Sequence, residues 1–265
     1  QLMAVSPGRE LGLIIKSPVA ASSIKVVNYL KSQKFESLFL NLPRSLDELV
    51  AEYVMGMEYE DFVEEVRKRK LLPEPVESWL KEYEYLLRSL REEGIEVCTF
   101  CYKDEKAFEL ETKVAIEAAL LVLRDSITGK VSVDRWLKIL TSQVNMIDIV
   151  RREADYILDE SFNYNKNICI ASFEGKELKK YLEQEMDTWV KYIGLPYHFT
   201  PLEVLKREMC LGKVSEDKVK QFVREHIKFI TEMVIPKGLE NAISEWTKKT
   251  LYWHPSISNK EKEAF

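Results

Sequence analysis

Leu11-Gly-Leu-Ile-Ile-Lys16, the segment Ala21 to Ser32, and Ser37-Leu-Phe-Leu-Asn-Leu42 decide the fold. The first and third are short apolar runs of the length that buried parallel strands use, and the second is long enough for a helix. Parallel strands need such a crossover, so the three together read as a βαβ unit. Two more runs of the same kind follow, Ile95 to Tyr102 and Asn167 to Ser172. The expectation is an α/β protein: a small, mostly parallel sheet of about four strands, with a large helical insert and a C-terminal helical subregion.

Helical periodicity fills the intervals. Ser45-Leu-Asp-Glu48 reads as a capping box, and Trp79, Tyr83, Leu86, Leu87 and Leu90 stripe a helix that Gly94 ends. After the third strand, Lys106 to Leu123 is a strongly apolar helix, Ser132 caps a helix carrying Trp136, and Asn145 caps one carrying Val150, Ala154 and Ile157. Beyond Gly175 the reading is helix throughout. Leu178, Leu182, Met186 and Trp189 stripe one, Thr200-Pro-Leu-Glu203 opens another, and Val223, His226 and Ile230 stripe a third. One domain is expected over 1–265, with an α/β core at 11–182, helices at 183–253 and a polar tail at 254–265 that frays.

Composition narrows the function classes. Lys plus Arg total 39 against 44 Asp plus Glu, a net charge of −5, which argues against a nucleic-acid partner. No apolar run approaches the ~20 residues of a membrane helix, and no basic-then-apolar segment opens the sequence, so the expected setting is cytoplasmic with no membrane partner. The 5 Gln and 8 Asn are few beside the many Lys and Glu, a balance associated with thermophiles. Of the four cysteines, Cys98 and Cys101 lie three apart on a strand and so face opposite ways. Together with Cys169 and Cys210 they read as buried thiols. His198, His226 and His254 form no ligand pair, so neither metal nor cofactor is expected. The cluster Glu64 to Lys70 reads as a solvated helix face.

In open α/β sheets ligands bind beyond the carboxyl ends of the strands. The loops there offer Ser17, Ser22 and Ser23 as ligand-binding candidates, and Asn41, Arg44, Asp104 and Glu174 as candidates for a reactive or binding site. The first loop leads into a helix N-terminus, which favours an anion, but it lacks the glycines of a phosphate-binding loop. Ser22 or Ser23 capping the helix is the plainer expectation.

The order of segments resembles the TraB/PrgY-like superfamily, which also takes in ChaN-type haem-binding proteins and erythromycin-esterase-like enzymes. Members begin with a strand ending G-T-x-H-x-S and a strand ending V-E-L. Leu13-Ile-Ile-Lys-Ser-Pro-Val-Ala-Ala-Ser-Ser23 and Leu38-Phe-Leu-Asn-Leu-Pro-Arg44 occupy those places. Asp148-Ile-Val-Arg-Arg-Glu-Ala-Asp155 resembles the family's E-R-D-x-x-[ML]-A helix, and Ile168-Cys-Ile-Ala-Ser-Phe-Glu-Gly175 its strand ending V-G-x-x-H. Val19 falls near the first family histidine, Asn41 at the glutamate and Glu174 near the second histidine, while Arg152 and Glu153 stand at the Arg-Asp pair. The resemblance thus implies the fold without the metal-dependent hydrolase chemistry, since the imidazole and carboxylate ligands are replaced.

Three functions are compatible with these residues. The first is a non-catalytic or regulatory protein, a pseudoenzyme candidate, binding a small ligand or protein partner. The second is a diverged hydrolase or transferase using Asn41, Arg44, Asp104, Arg152, Glu153 and Glu174. The third, an RNA or single-strand binder, would need a basic, aromatic-lined groove that the sequence does not display. Tyr252-Trp253-His254 could anchor a homodimer contact.

Overall fold

A computed structural model of the chain describes residues 8–141, 147–172, 174–194 and 197–250. Asn145, Phe173, Tyr252-Trp253-His254 and the polar tail lie outside the described residues, as does the Cys210 side chain. The chain divides into two compact units, residues 1–108 with 147–195 and residues 109–146 with 196–265.

Through the first unit run β1 (Glu10–Lys16), α1 (Ala20–Lys31), β2 (Ser37–Pro43), α2 (Asp47–Val54), α3 (Tyr59–Lys68), α4 (Val76–Glu92) and β3 (Cys98–Lys103). The chain passes through α5 (Glu105–Thr128) and α6 (Val133–Thr141), then returns as α7 (Ile147–Glu160), β4 (Lys166–Ala171), α8 (Gly175–Leu182) and β5 (Asp187–Ile193). The sheet order is β3-β2-β4-β1-β5, and every pairing is parallel. The α/β expectation holds, with five strands instead of about four.

The added strand corrects the helix expected to carry Trp189. Leu178, Leu182, Met186 and Trp189 have helical spacing, but α8 stops at Leu182. Asp187-Thr-Trp-Val-Lys-Tyr-Ile193 consists mostly of β-branched and aromatic residues and pairs along the whole of β1. The apolar spacing fits both periods, and the backbone bonds offered by β1 select the strand. Lys191 and the exposed Tyr192 mark it as a sheet edge.

Gly12 faces Trp189 across this pairing, and a Cβ added at Gly12 would lie 2.2 Å from the indole Cζ2. Gly12→Ala is therefore expected to cost about 2–3 kcal/mol by overpacking. Adding Trp189→Val should return part of that loss. A double-mutant cycle by denaturant unfolding measures the coupling, and strictly additive effects would refute the contact.

Alternation along the strands loads both faces. Leu38, Leu40, Cys101 and Ile168 pack with α1–α4, whereas Leu13, Phe39, Tyr102 and Cys169 pack with α7 and α8. Cys98, at the first position of β3, is exposed, which departs from the buried-thiol expectation. Gly94 ends α4 as expected, at φ +61°. The Ser45 box does not form. A 3-10 turn over Arg44–Leu46 precedes α2, and the Ser45 N–H donates to Glu105 at 2.6 Å, a distant carboxylate replacing the local one.

In the second unit, α5 and α6 share a core with α9 (Pro201–Leu211) and α10 (Glu216–Lys228), built on Trp136, Leu140, Leu205, Val219 and Val223. The Thr200–Glu203 capping box forms, the Thr200 N–H donating to Glu203 at 2.8 Å. Buried Asp125 joins α5 to α6 by accepting from the Ser132 N–H and hydroxyl and from Trp136 Nε1 at 2.8 Å. Among the described residues, no helix is long and apolar enough to cross a membrane.

Candidate functional site

The carboxyl ends of β2, β3 and β4 bring together the side chains nominated by the sequence, in two clusters. In the first, Asn41 Nδ2 donates to Glu174 Oε1 at 2.6 Å, and the Ser172 N–H donates to the same oxygen at 3.3 Å. Asn41 points away from the α1–α4 face because its neighbours Leu40 and Leu42 point into it. The pair thereby ties the end of β2 to the turn entering α8.

The second cluster is built on Asp104, which follows β3. Its carboxylate accepts the Lys106 and Ala107 N–H groups, capping α5, and takes Arg152 Nε at 3.0 Å and Nη2 at 3.3 Å. Its own N–H donates to Glu153 at 3.0 Å. Burial pushes the Asp104 carboxyl up, but the Arg152 bonds, the Ala107 N–H and the charges of Arg152 and Arg44 outweigh it, holding the group below its ordinary value. Arg44 donates to the Tyr102 and Arg152 carbonyls, and its guanidinium lies 4.4 Å from the Tyr156 ring centroid.

At the end of β1 the serines bind backbone. Ser17 Oγ donates to the Gly194 carbonyl at 3.0 Å, Ser22 Oγ lies 2.7 Å from the Ser17 and Val19 carbonyls, and Ser23 Oγ donates to the Glu82 carbonyl. Neither Ser22 nor Ser23 caps α1, correcting the expected cap. The N-cap position falls on Val19, which places both serines inside the first turn.

Sequence reasoning missed Lys16. It is 1% exposed, ion-paired with Glu82 of α4, and its Nζ sits 5.1 Å from the Tyr83 ring centroid. The signal was present: alternation puts Lys16 on the same face as Ile14, which packs against α1–α4. Burial pushes the Tyr83 phenol well above its ordinary range, reinforced by Glu82 and Glu174. Tyr83 thus lies in the field of both the Glu82 and the Glu174 carboxylates. His198 and His226 belong to the second unit. Among the described residues, no group of three or more His, Cys, Asp or Glu is arranged to hold a metal ion.

No family model, curated protein or solved structure matches the chain.

Proposed function

We propose that this is a non-catalytic α/β protein of the cytoplasm that binds a small ligand or protein partner at the carboxyl edge of its sheet. The observation that carries this reading is that the candidate reactive groups are spent on each other and on backbone: Asn41 on Glu174, Arg152 on Asp104, Glu153 on the Asp104 N–H, and Arg44 on two carbonyls. A general acid or base needs a proton-transfer face toward substrate, whereas these bonds brace the loops.

The stability of two variants tests it. A catalytic carboxylate is commonly a liability to stability, so its removal raises the melting temperature. A bracing carboxylate does the reverse. We expect Asp104→Asn and Glu174→Ala each to cost about 1–3 kcal/mol, from lost charge-assisted bonds and, for Asp104, a lost helix cap. A rise in melting temperature with either variant would refute the bracing role. A thermal-shift screen with divalent metals, nucleotides, sugar phosphates and S-adenosylmethionine then identifies any ligand, because a molecule that prefers the native state raises its midpoint.

The second reading is a diverged TraB-like hydrolase or transferase. It is favoured by one observation, the convergence of Asn41, Arg44, Asp104, Arg152, Glu153 and Glu174 on one edge of the sheet, where this architecture places active sites. A stability gain in the same two variants would move the assignment to it.

A further inference from the structure

Helix α5 is apolar on two opposite faces. Val114, Ala118, Leu121 and Val122 are buried on one, while Ile116, Leu120, Leu123 and Ile127 are 53%, 61%, 59% and 76% exposed on the other. The exposed four recur at intervals of four, three and four residues, the seam spacing of a two-helix coiled coil. An apolar row of this kind, about 16 Å long at 1.5 Å per residue, is rare on a monomer surface.

We propose that this seam is the contact of a homodimer in which α5 packs antiparallel against α5 of a second copy. The flanking residues make the seam complementary to itself in that direction. Glu117 and Arg124 border it on one side, two helical turns apart and so too distant to pair with each other within one helix. Within α5, Glu117 has Lys113 at 4.0 Å, an exposed pair too weak to hold the carboxylate away from a second copy. Two-fold antiparallel packing sets Ile116 against Ile127 of the second copy and Leu120 against its Leu123. Glu117 then meets Arg124 of the second copy, twice per dimer. Ala119 and Ser126, both exposed, border the other side and are small enough for the helices to approach closely. In parallel packing this side of one helix would face the charged side of the other, leaving Glu117 and Arg124 without opposite charges across the contact. A second copy is therefore the occupant whose charges the seam matches.

The contact is short compared with obligate interfaces, so association in the micromolar range is expected. Sedimentation equilibrium of the full chain tests this across micromolar concentrations. The average mass should rise from 31.0 kDa toward twice that value. E117R and R124E, studied separately, place like charges together twice and should remain monomeric, with unchanged circular dichroism. Mixing the two variants sets an arginine against a glutamate at both contacts, with the charges exchanged between the copies, and should restore the dimer. A wild-type chain that stays monomeric throughout would overturn the proposal, leaving the seam to residues 251–265 or to another protein. Dimers that ignore the charge reversals, or a mixture that stays monomeric, would overturn it equally.

Discussion

Glu82→Gln is expected to lower the stability of the sheet unit by about 3–5 kcal/mol, whereas exchanging Lys16 and Glu82 together for methionine and leucine should recover most of that loss. Lys16 is among the largest fully buried side chains, and Glu82, partly exposed, is its carboxylate partner. Glutamine keeps the shape but removes the charge. Lys16 then faces only neutral acceptors, the glutamine amide oxygen and the Ser17 carbonyl at 3.4 Å, together with the Tyr83 ring, and without an opposite charge these do not offset the desolvation of an ammonium group. At roughly 2–4 °C per kcal/mol for a unit of this size, the melting midpoint should fall by about 10 °C. The paired apolar replacement removes both charges, and buried ion pairs replaced in this way are often neutral or stabilising. If Glu82→Gln changes the midpoint by less than a degree or two, the ammonium is hydrated and the pair is not the buried one described. A double variant as stable as the native chain has a further consequence: the pair is then not kept for stability. Its position at the end of β1, beside Ser17, Ser23 and Tyr83, makes ligand contact the reason to test. A thermal-shift response lost in the stable double variant would place the ligand against Lys16.

Residues 11–42 carried most of the fold in readable form because buried parallel strands leave unmixed apolar runs, and the helix between them has one apolar stripe. β5 was less legible for a physical reason. An edge strand is only half covered, so its residues carry a mixed pattern, and Trp189 falls in step with the preceding helix by spacing alone. The candidate site was legible as a neighbourhood, since strand ends converge whatever the side chains are. Asn41, Arg44, Asp104, Arg152, Glu153 and Glu174 do meet there in two clusters. Which group binds which was not legible. The Asp104–Arg152 contact spans 48 positions, and the Asn41–Glu174 contact spans 133. Serines at a helix start suggest a cap, yet Ser22 and Ser23 sit one turn too deep and donate to carbonyls instead. Lys16 went unnoticed because a charged residue ending a strand normally marks the approach to solvent, and here α4 covers it.

His226→Leu should remove about 3 kcal/mol of acid sensitivity from the helical unit. Burial pulls the His226 imidazole down from 6.5 to about 4, with Lys206 adding like-charge repulsion. Its Nδ1 has no hydrogen-bond partner among the described residues, and Trp136 stands edge-on with ring centroids 6.0 Å apart. Lys206 is itself lowered by burial, partly offset by Glu203 and Glu111. The folded unit therefore holds His226 neutral where the unfolded chain protonates it. Between pH 6.5 and about 4 the unfolded state binds the extra proton, so stability falls as pH falls; above 6.5 both states are neutral, and below about 4 both are charged. At about 1.4 kcal/mol for each tenfold change in proton affinity, that interval amounts to roughly 3 kcal/mol. Denaturant unfolding at a series of pH values, native chain against His226→Leu, isolates the contribution, because the carboxylates and the other histidines are common to both. The difference between the two curves should be flat above pH 7, open through the window and level off near pH 4. Curves that run parallel from pH 7 to pH 4 would mean that the folded unit accepts the proton on His226 as readily as the unfolded chain does, which the apolar packing around Trp136 and Val223 does not allow.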